Sequence, residues 1–121
     1  MGKTLGLPRE RRIKQGRDFL RIKTQGQRLA SGCLIANWLS APTGAESRLG
    51  VITGRKLGNA VVRARCRRLL REAFRLHQLE LRAPIDLVLV ARPSMVGKDF
   101  HNVEHDLLEA LRRGKVLKES V

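Results

Sequence analysis

Six arginines and no lysine stand between Gly58 and Arg75, in GNAVVRARCRRLLREAFR, threaded among valines, leucines and a phenylalanine. A guanidinium can grip a phosphate through two parallel hydrogen bonds and stack on an exposed base, so arginine at this density suits a polyanion and, among polyanions, a nucleic acid. Glu72 is the only acid in the segment, too few for intrahelical ion pairs to account for the arginines. Just upstream, GRKLGN supplies Arg55 and Lys56 between glycines. They precede a helix start, where free N–H groups and the helix dipole both favour an anion. An ordinary charge run is a solvated helix face; the shortage of acids here points instead to phosphate as the ligand.

Other chemistry-bearing residues are weaker. HNVEH, His101 to His105, has the H-x-x-E-H order of a zinc-protease motif, but no third ligand follows and surface histidines are the expected outcome. Cys66 lies among arginines that would lower a thiol pKa, yet it falls on the apolar side of its helix and reads as core filler. His77, near the end of that helix, suits the dipole there. The eleven acids are scattered, so no carboxylate cluster for a two-metal protein nuclease is visible. The aromatic residues are Phe19, Trp38, Phe74 and Phe100, with no tyrosine. A sheet that stacks several bases on paired aromatics is therefore poorly supported, and recognition should lean on backbone and shape.

The elements that must position the arginines follow from spacing. Residues 16–25 read as a short helix with Phe19, Ile22 and Lys23 on one side. QRLASGCLIANWLS reads as two extended pieces split near Ser31-Gly32, and after the turn residues of APTGAES the run RLGVITG is extended again. An antiparallel pair over 33–40 and 48–53 is expected. Asn59 has the side chain of a helix N-cap, and Val62, Cys66, Leu69, Ala73 and Leu76 step by four and three along a long amphipathic helix. On that helix Arg67, Arg68, Arg71 and Arg75 lie opposite the apolar stripe, Arg63 and Arg65 at its margins, and Ala64 in the middle of the basic face. PIDLVLVARP has the unbroken apolar character of a strand covered on both faces, as parallel strands are. Phe100, Val103, Leu107 and Leu111 mark a last helix, with Arg112 and Arg113 in its final turn and Gly114 beyond.

The chain of 121 residues is one domain's worth, and 42% hydrophobic residues can furnish its core. Residues 1–14 read as a flexible basic arm of that domain. A formal charge of +14 favours a polyanionic partner. No signal peptide and no run of apolar residues long enough for a membrane span is evident. Cys33 and Cys66 have no paired spacing and should be reduced. A cytoplasmic protein with no membrane partner is expected.

GRKLGNAVVRARCRRLLREAFR resembles the signature segment of the bacterial ribonuclease P protein component family: a basic strand end, Gly-Asn-Ala-Val, then an Arg-Asn-Arg motif opening a basic-apolar helix. LPRERRIKQGRDFLRI with QGQRL, RLGVITGRK and DLVLVAR are similar to other parts of that family, and the likeness covers most of residues 7–113. Three positions depart from it: Ala64 replaces the Asn of Arg-Asn-Arg, Lys23 a second aromatic of the first helix, and Asn37 a strand tyrosine.

The resemblance implies an α+β fold, an α/β sandwich of helix, three strands, helix, strand and helix around one small mixed sheet. It also implies a left-handed strand–helix–strand crossover, against a rule obeyed in roughly 98% of cases. It implies the protein subunit of ribonuclease P, bound to a catalytic RNA that removes the 5′ leader of precursor tRNA with Mg²⁺. In that role Arg55, Lys56, Asn59, Arg63, Arg65, Arg67, Arg68 and Arg71 would bind RNA, and Phe19, Lys23 and Asn37 would line the leader cleft. The protein would hold no catalytic residue, metal or cofactor of its own. The alternative from another class is a non-enzymatic binder of structured RNA, such as a ribosome-associated factor.

Overall fold

Among the described residues four strands form one mixed sheet, and the strand of residues 85–91, buried along almost its whole length, takes an inner place. The computed structural model describes residues 11–118, over which α1 (Gly16–Gln25), β1 (Gln27–Ser31), β2 (Leu34–Ser40), β3 (Arg48–Ile52), α2 (Ala60–His77), β4 (Ile85–Ala91) and α3 (Phe100–Arg113) follow one another. β2 runs antiparallel to β1 and β4, and β3 runs parallel to β4. The expected antiparallel pairing of residues 33–40 with 48–53 is therefore corrected: β4 lies between β2 and β3. A strand whose side chains are buried on both faces gains most from a central place, where both of its edges are also paired.

Alternation along the strands divides the molecule into two layers of contact. Leu34, Ala36 and Trp38 of β2 and Ile85, Leu87, Leu89 and Ala91 of β4 join the main core beneath α2 and α3. On the other face Val88 packs with Ile22 of α1 and with Ile13, and Phe19, Leu39 and Val90 lie against them. Arg11–Ile13 do not form part of a free arm. Ile13 N–H donates to Leu49 O at 2.8 Å, Arg11 Nε donates to Ser47 O at 2.9 Å, and Arg12 bridges Leu49 in parallel register beside β3. The rest of the expected arm, residues 1–10, lies outside the described residues.

α2 begins where the sequence places it. The Asn59 side chain accepts from Val62 N–H at 3.0 Å, satisfying one donor of the open first turn. Ahead of it Gly58 has φ 138°, a conformation that L side chains rarely adopt. The buried stripe is Cys66, Leu70, Ala73 and Phe74, turned from the expected one toward Leu70 and Phe74, while Leu76 is 45% exposed. Both arrangements are periodic at helical spacing; contact with β3 and α3 selects the side that carries the larger Phe74.

Candidate nucleic-acid interface

The basic face of α2 is continued by a residue from another element. Arg67, Arg68, Arg71 and Arg75 border a shallow groove of about 430 Å³ with Ala64 and Glu72, and Arg12, held beside β3, closes one side. Arg67 donates to Thr53 Oγ1 at 2.8 Å, which anchors it toward the end of β3. Glu72 is occupied by Arg75, which binds it through Nε at 2.9 Å and through the terminal nitrogen at 2.6 Å. Among the described residues no carboxylate lies within salt-bridge distance of Arg12, Arg63, Arg65, Arg67, Arg68 or Arg71. Burial, and then the neighbouring charges of Arg12 and Arg67, push the Arg71 pKa below its ordinary value. A groove in which arginines crowd one another while its one carboxylate, Glu72, is already taken by Arg75 is stabilised by an incoming anion.

Not all predicted residues converge there. Arg55 and Lys56 lie exposed in a 3-10 turn, Arg55–Leu57, at the entrance to α2. Arg63 is half-buried, and its Nε is enclosed without a hydrogen-bond partner among the described residues. Arg65 leaves on the other margin, donating to Lys98 O at 2.9 Å. Asn59 is exposed, with its side-chain oxygen committed to the cap. Ala64 lies in the groove, where the helical spacing places it. Sequence reasoning missed Arg12 because it lies far along the chain from α2; the only available signal was its membership of the basic run RERR.

A second concavity separates α1 from the sheet, and it brings together Phe19, Lys23 and Asn37. It measures about 460 Å³ and is also lined by Leu20, Arg28, Ile35, Ile52, Val88 and Val90. Gly50 makes room for the aromatic wall: a Cβ there would stand 2.7 Å from Phe19 Cε1 and 3.2 Å from Ile13 Cβ. The cleft thus has one aromatic wall, an aliphatic floor and a cationic rim of Lys23 and Arg28. The aliphatic floor was missed because alternation does not say which face of a strand will be left uncovered.

α1 is held over this cleft by an ion network. Asp86, 1% exposed, accepts from Arg48 Nε at 3.0 Å and from Arg48 Nη2 at 2.8 Å, and Arg21 approaches the same carboxylate at 3.3 Å. Asp18 stands 3.7 Å from each arginine. The bond to Asp86 leads the influences raising the Arg48 pKa.

The remaining candidates resolve into structural roles. His101 and His105 have side chains 88% and 77% exposed, and Glu104, 3.9 Å from His101, is held more closely by His77 at 2.7 Å. Among the described residues no three His, Cys, Asp or Glu side chains gather to hold a metal ion. His77 Nδ1 lies 2.5 Å from Glu80 and Nε2 lies 2.7 Å from Glu104, joining α2 to α3. Burial lowers its pKa, but the bonds to Glu104 and Glu80 outweigh that effect and the net shift is upward. Cys33 and Cys66 are free and buried. Burial leads in pushing the Cys33 thiol up to about 12, helped by Asp106, and burial also raises Cys66 despite Arg65 and Arg67. Neither thiol is poised as a nucleophile.

A small α+β domain with a groove bordered by arginines of one helix, of which only Arg75 has a carboxylate partner among the described residues, has the charge and shape of an RNA-binding protein. The comparisons identify the kind. The family model described as Ribonuclease P matches residues 7–115, and the chain belongs to that family of ribonuclease P protein components. It is 33% identical over 115 residues to the ribonuclease P protein component of Dictyoglomus turgidum, covering 93% of this chain and 95% of the relative. The structure of the Staphylococcus aureus RNase P protein superposes with a TM-score of 0.81 at 29% identity, over 89% of this chain and 98% of that one. The RNase P protein of Thermotoga maritima gives a TM-score of 0.75 at 30% identity, over 84% of this chain and 96% of the other. The chain is accordingly a ribonuclease P subunit, part of an endoribonuclease holoenzyme and a partner of ribonuclease P RNA. No described helix is long and apolar enough to cross a membrane.

Proposed function

We propose that this chain binds the catalytic RNA of ribonuclease P through α2 and the turn before it, and binds the 5′ leader of precursor tRNA in the cleft under α1. The RNA hydrolyses the phosphodiester with Mg²⁺, and the protein strengthens the hold on substrate and RNA in the cytoplasm. The observation that carries this reading is the α2 groove, whose arginines crowd one another with no carboxylate partner save for Arg75. Arg55, Lys56, Asn59, Arg63, Arg65, Arg67, Arg68 and Arg71 contribute donors or charge to the RNA; Arg12 joins them from the segment beside β3. Phe19 offers a ring on which a leader base stacks, Lys23 a charge for its phosphates, and Asn37 a polar point in the floor.

The test is reconstitution with a ribonuclease P RNA. Cleavage of precursor tRNA at low Mg²⁺ should depend on this chain, and Phe19→Ala should weaken binding of precursor but not mature tRNA. The expected loss is about 1–3 kcal/mol, the worth of one base–aromatic contact. Equal weakening of both ligands would refute the leader role, and cleavage indifferent to the protein would refute the subunit's assistance.

A further inference from the structure

The core does not use all of the apolar residues that α2 carries. Helical spacing sets Leu69 and Leu76 on the expected stripe, but the buried stripe turns to Leu70 and Phe74. Leu69 is left half-buried and Leu76 45% exposed. Phe100, which opens α3, is likewise only partly buried. These three side chains line a shallow groove of about 430 Å³ between α2 and α3, together with Arg68 and Glu72. Arg68 and Glu72 also border the arginine groove, so the apolar groove is its direct continuation along the helix surface. Phosphate satisfies the cationic part of this joint surface and gives nothing to the apolar part. A flat, weakly polar group carried on a phosphate chain satisfies both.

We infer that the groove between α2 and α3 binds an unpaired nucleobase of the ribonuclease P RNA, packed against Phe100, Leu69 and Leu76, while the phosphates of the same strand lie along the arginine groove. The inference rests on the reading of α2 as the RNA-binding helix, and it adds what that helix takes besides phosphate. Paired RNA keeps its bases stacked inside and shows phosphates and ribose hydroxyls; loops, bulges and ends have bases free to lie on an aromatic ring or a guanidinium plane. Phe100 supplies the ring. Arg68 supplies the guanidinium beside it, exposed and with no carboxylate within salt-bridge distance among the described residues. Glu72, the acid of the groove, is engaged by Arg75 through two hydrogen bonds, which offsets its repulsion of the strand. Charge also selects against a second copy of this chain as the occupant. Each copy carries a formal +14, and docking at this groove would press one basic surface toward another. An RNA strand brings the opposite charge with its base.

The experiment measures affinity for a ribonuclease P RNA across a salt series, with the natural chain and with Leu76→Gln and Phe100→Leu singly. Neither substitution changes the charge. Phe100→Leu should weaken binding by about tenfold, as loss of one base–aromatic contact does, and Leu76→Gln by at least about fourfold, the equivalent of one buried methylene. In both, the slope of log affinity against log salt should stay as it is, because that slope counts phosphates. Reagents that modify unpaired bases of all four kinds should show one nucleotide, or a short run, shielded by the natural chain and reactive again with Leu76→Gln. Leu76 is exposed enough that this variant should keep its thermal midpoint, and if Phe100→Leu loses stability, Leu76→Gln decides alone. Unaltered RNA affinity in Leu76→Gln, a fall in its salt slope, or base protection that persists would each overturn the inference. So would self-association of the free chain that Leu76→Gln abolishes without weakening RNA binding, which gives the groove to a second copy. Arg67→Ala with Arg71→Ala tells the two layers apart. If that pair weakens RNA binding and Leu76→Gln does not, the reading of α2 stands and only the base pocket falls; if neither weakens it, both fall.

Discussion

Arg48 and Arg71 are the same residue type in two environments, and the difference assigns their work. Arg48, with Arg21, is locked onto Asp86, a carboxylate 1% exposed between α1 and the sheet, and its guanidinium pKa rises. Arg71 stands among Arg12, Arg67 and Arg68 with no described carboxylate within salt-bridge distance, and its pKa is lowered by burial and then by Arg12 and Arg67. Paired arginines fasten the fold, and their donors are already spent. Unpaired, crowded arginines are held in place by the fold and stabilised only by something brought from outside. Total charge does not distinguish these two sets; the position of the acids does.

The largest effect that would sharpen the contrast is ionic. If α2 and its entry turn neutralise six or more phosphates, RNA affinity should fall by about 10³–10⁵ between about 50 and 200 mM salt. Filter binding across that range checks it, and a nearly flat dependence breaks the polyanion reading.

The paired set should respond in stability instead. Asp86→Ala leaves Arg48 and Arg21 without their buried partner, and because both arginines keep some access to water the loss should lie near the low end for such pairs, about 3 kcal/mol. Urea unfolding measures it, and RNA affinity of the folded fraction should change little. A smaller effect is expected in the groove: Ala64→Asn places an amide among the unpaired arginines, where one new bond to RNA contributes about 0.5–1.5 kcal/mol. Affinity should tighten by no more than about tenfold with the fold intact, since the helix-propensity difference is only about half a kcal/mol. Unfolding in that variant would show position 64 to be constrained by packing.

The smallest effect concerns His77, which is paired like Arg48 but titratable. Its folded pKa is raised, so its contribution to stability is fully present below the unfolded value of about 6.5 and is lost as pH rises through the folded pKa. The thermal midpoint should fall over that interval on the alkaline side of about pH 6.5, and His77→Gln should flatten the fall.

The order of elements was legible in the sequence because each carries its own local signal: the Asn59 cap, the helical steps of α2 and α3, the unbroken apolar run of β4. The partner of β3 was not, since pairing is decided by which strand can afford to have both faces covered, a competition among distant segments. The same limit applied within the site. Arg67, Arg68, Arg71 and Ala64 share a helix face, and spacing alone sets them together; Arg12 reaches the groove only because Arg11–Ile13 run beside β3. Asn37 could be marked by resemblance as a departure, but its place in the cleft required the floor of β2 and β4 around it. The turn of the α2 stripe toward Leu70 and Phe74 was likewise a packing choice between two periodic sets.

The central claim is that the unpaired arginines of α2, and not the net charge, hold the ribonuclease P RNA. It is tested most directly by the salt dependence of RNA affinity for two double variants of equal charge change, Arg67→Ala with Arg71→Ala and Arg112→Ala with Arg113→Ala. Each lost phosphate contact should reduce the slope by about one, so the first pair should lower affinity by at least about tenfold and the slope by about two. The second pair, on α3 with Arg112 bound to Glu109, should leave the slope nearly unchanged. Equal losses of affinity and equal slopes in the two variants would contradict the account.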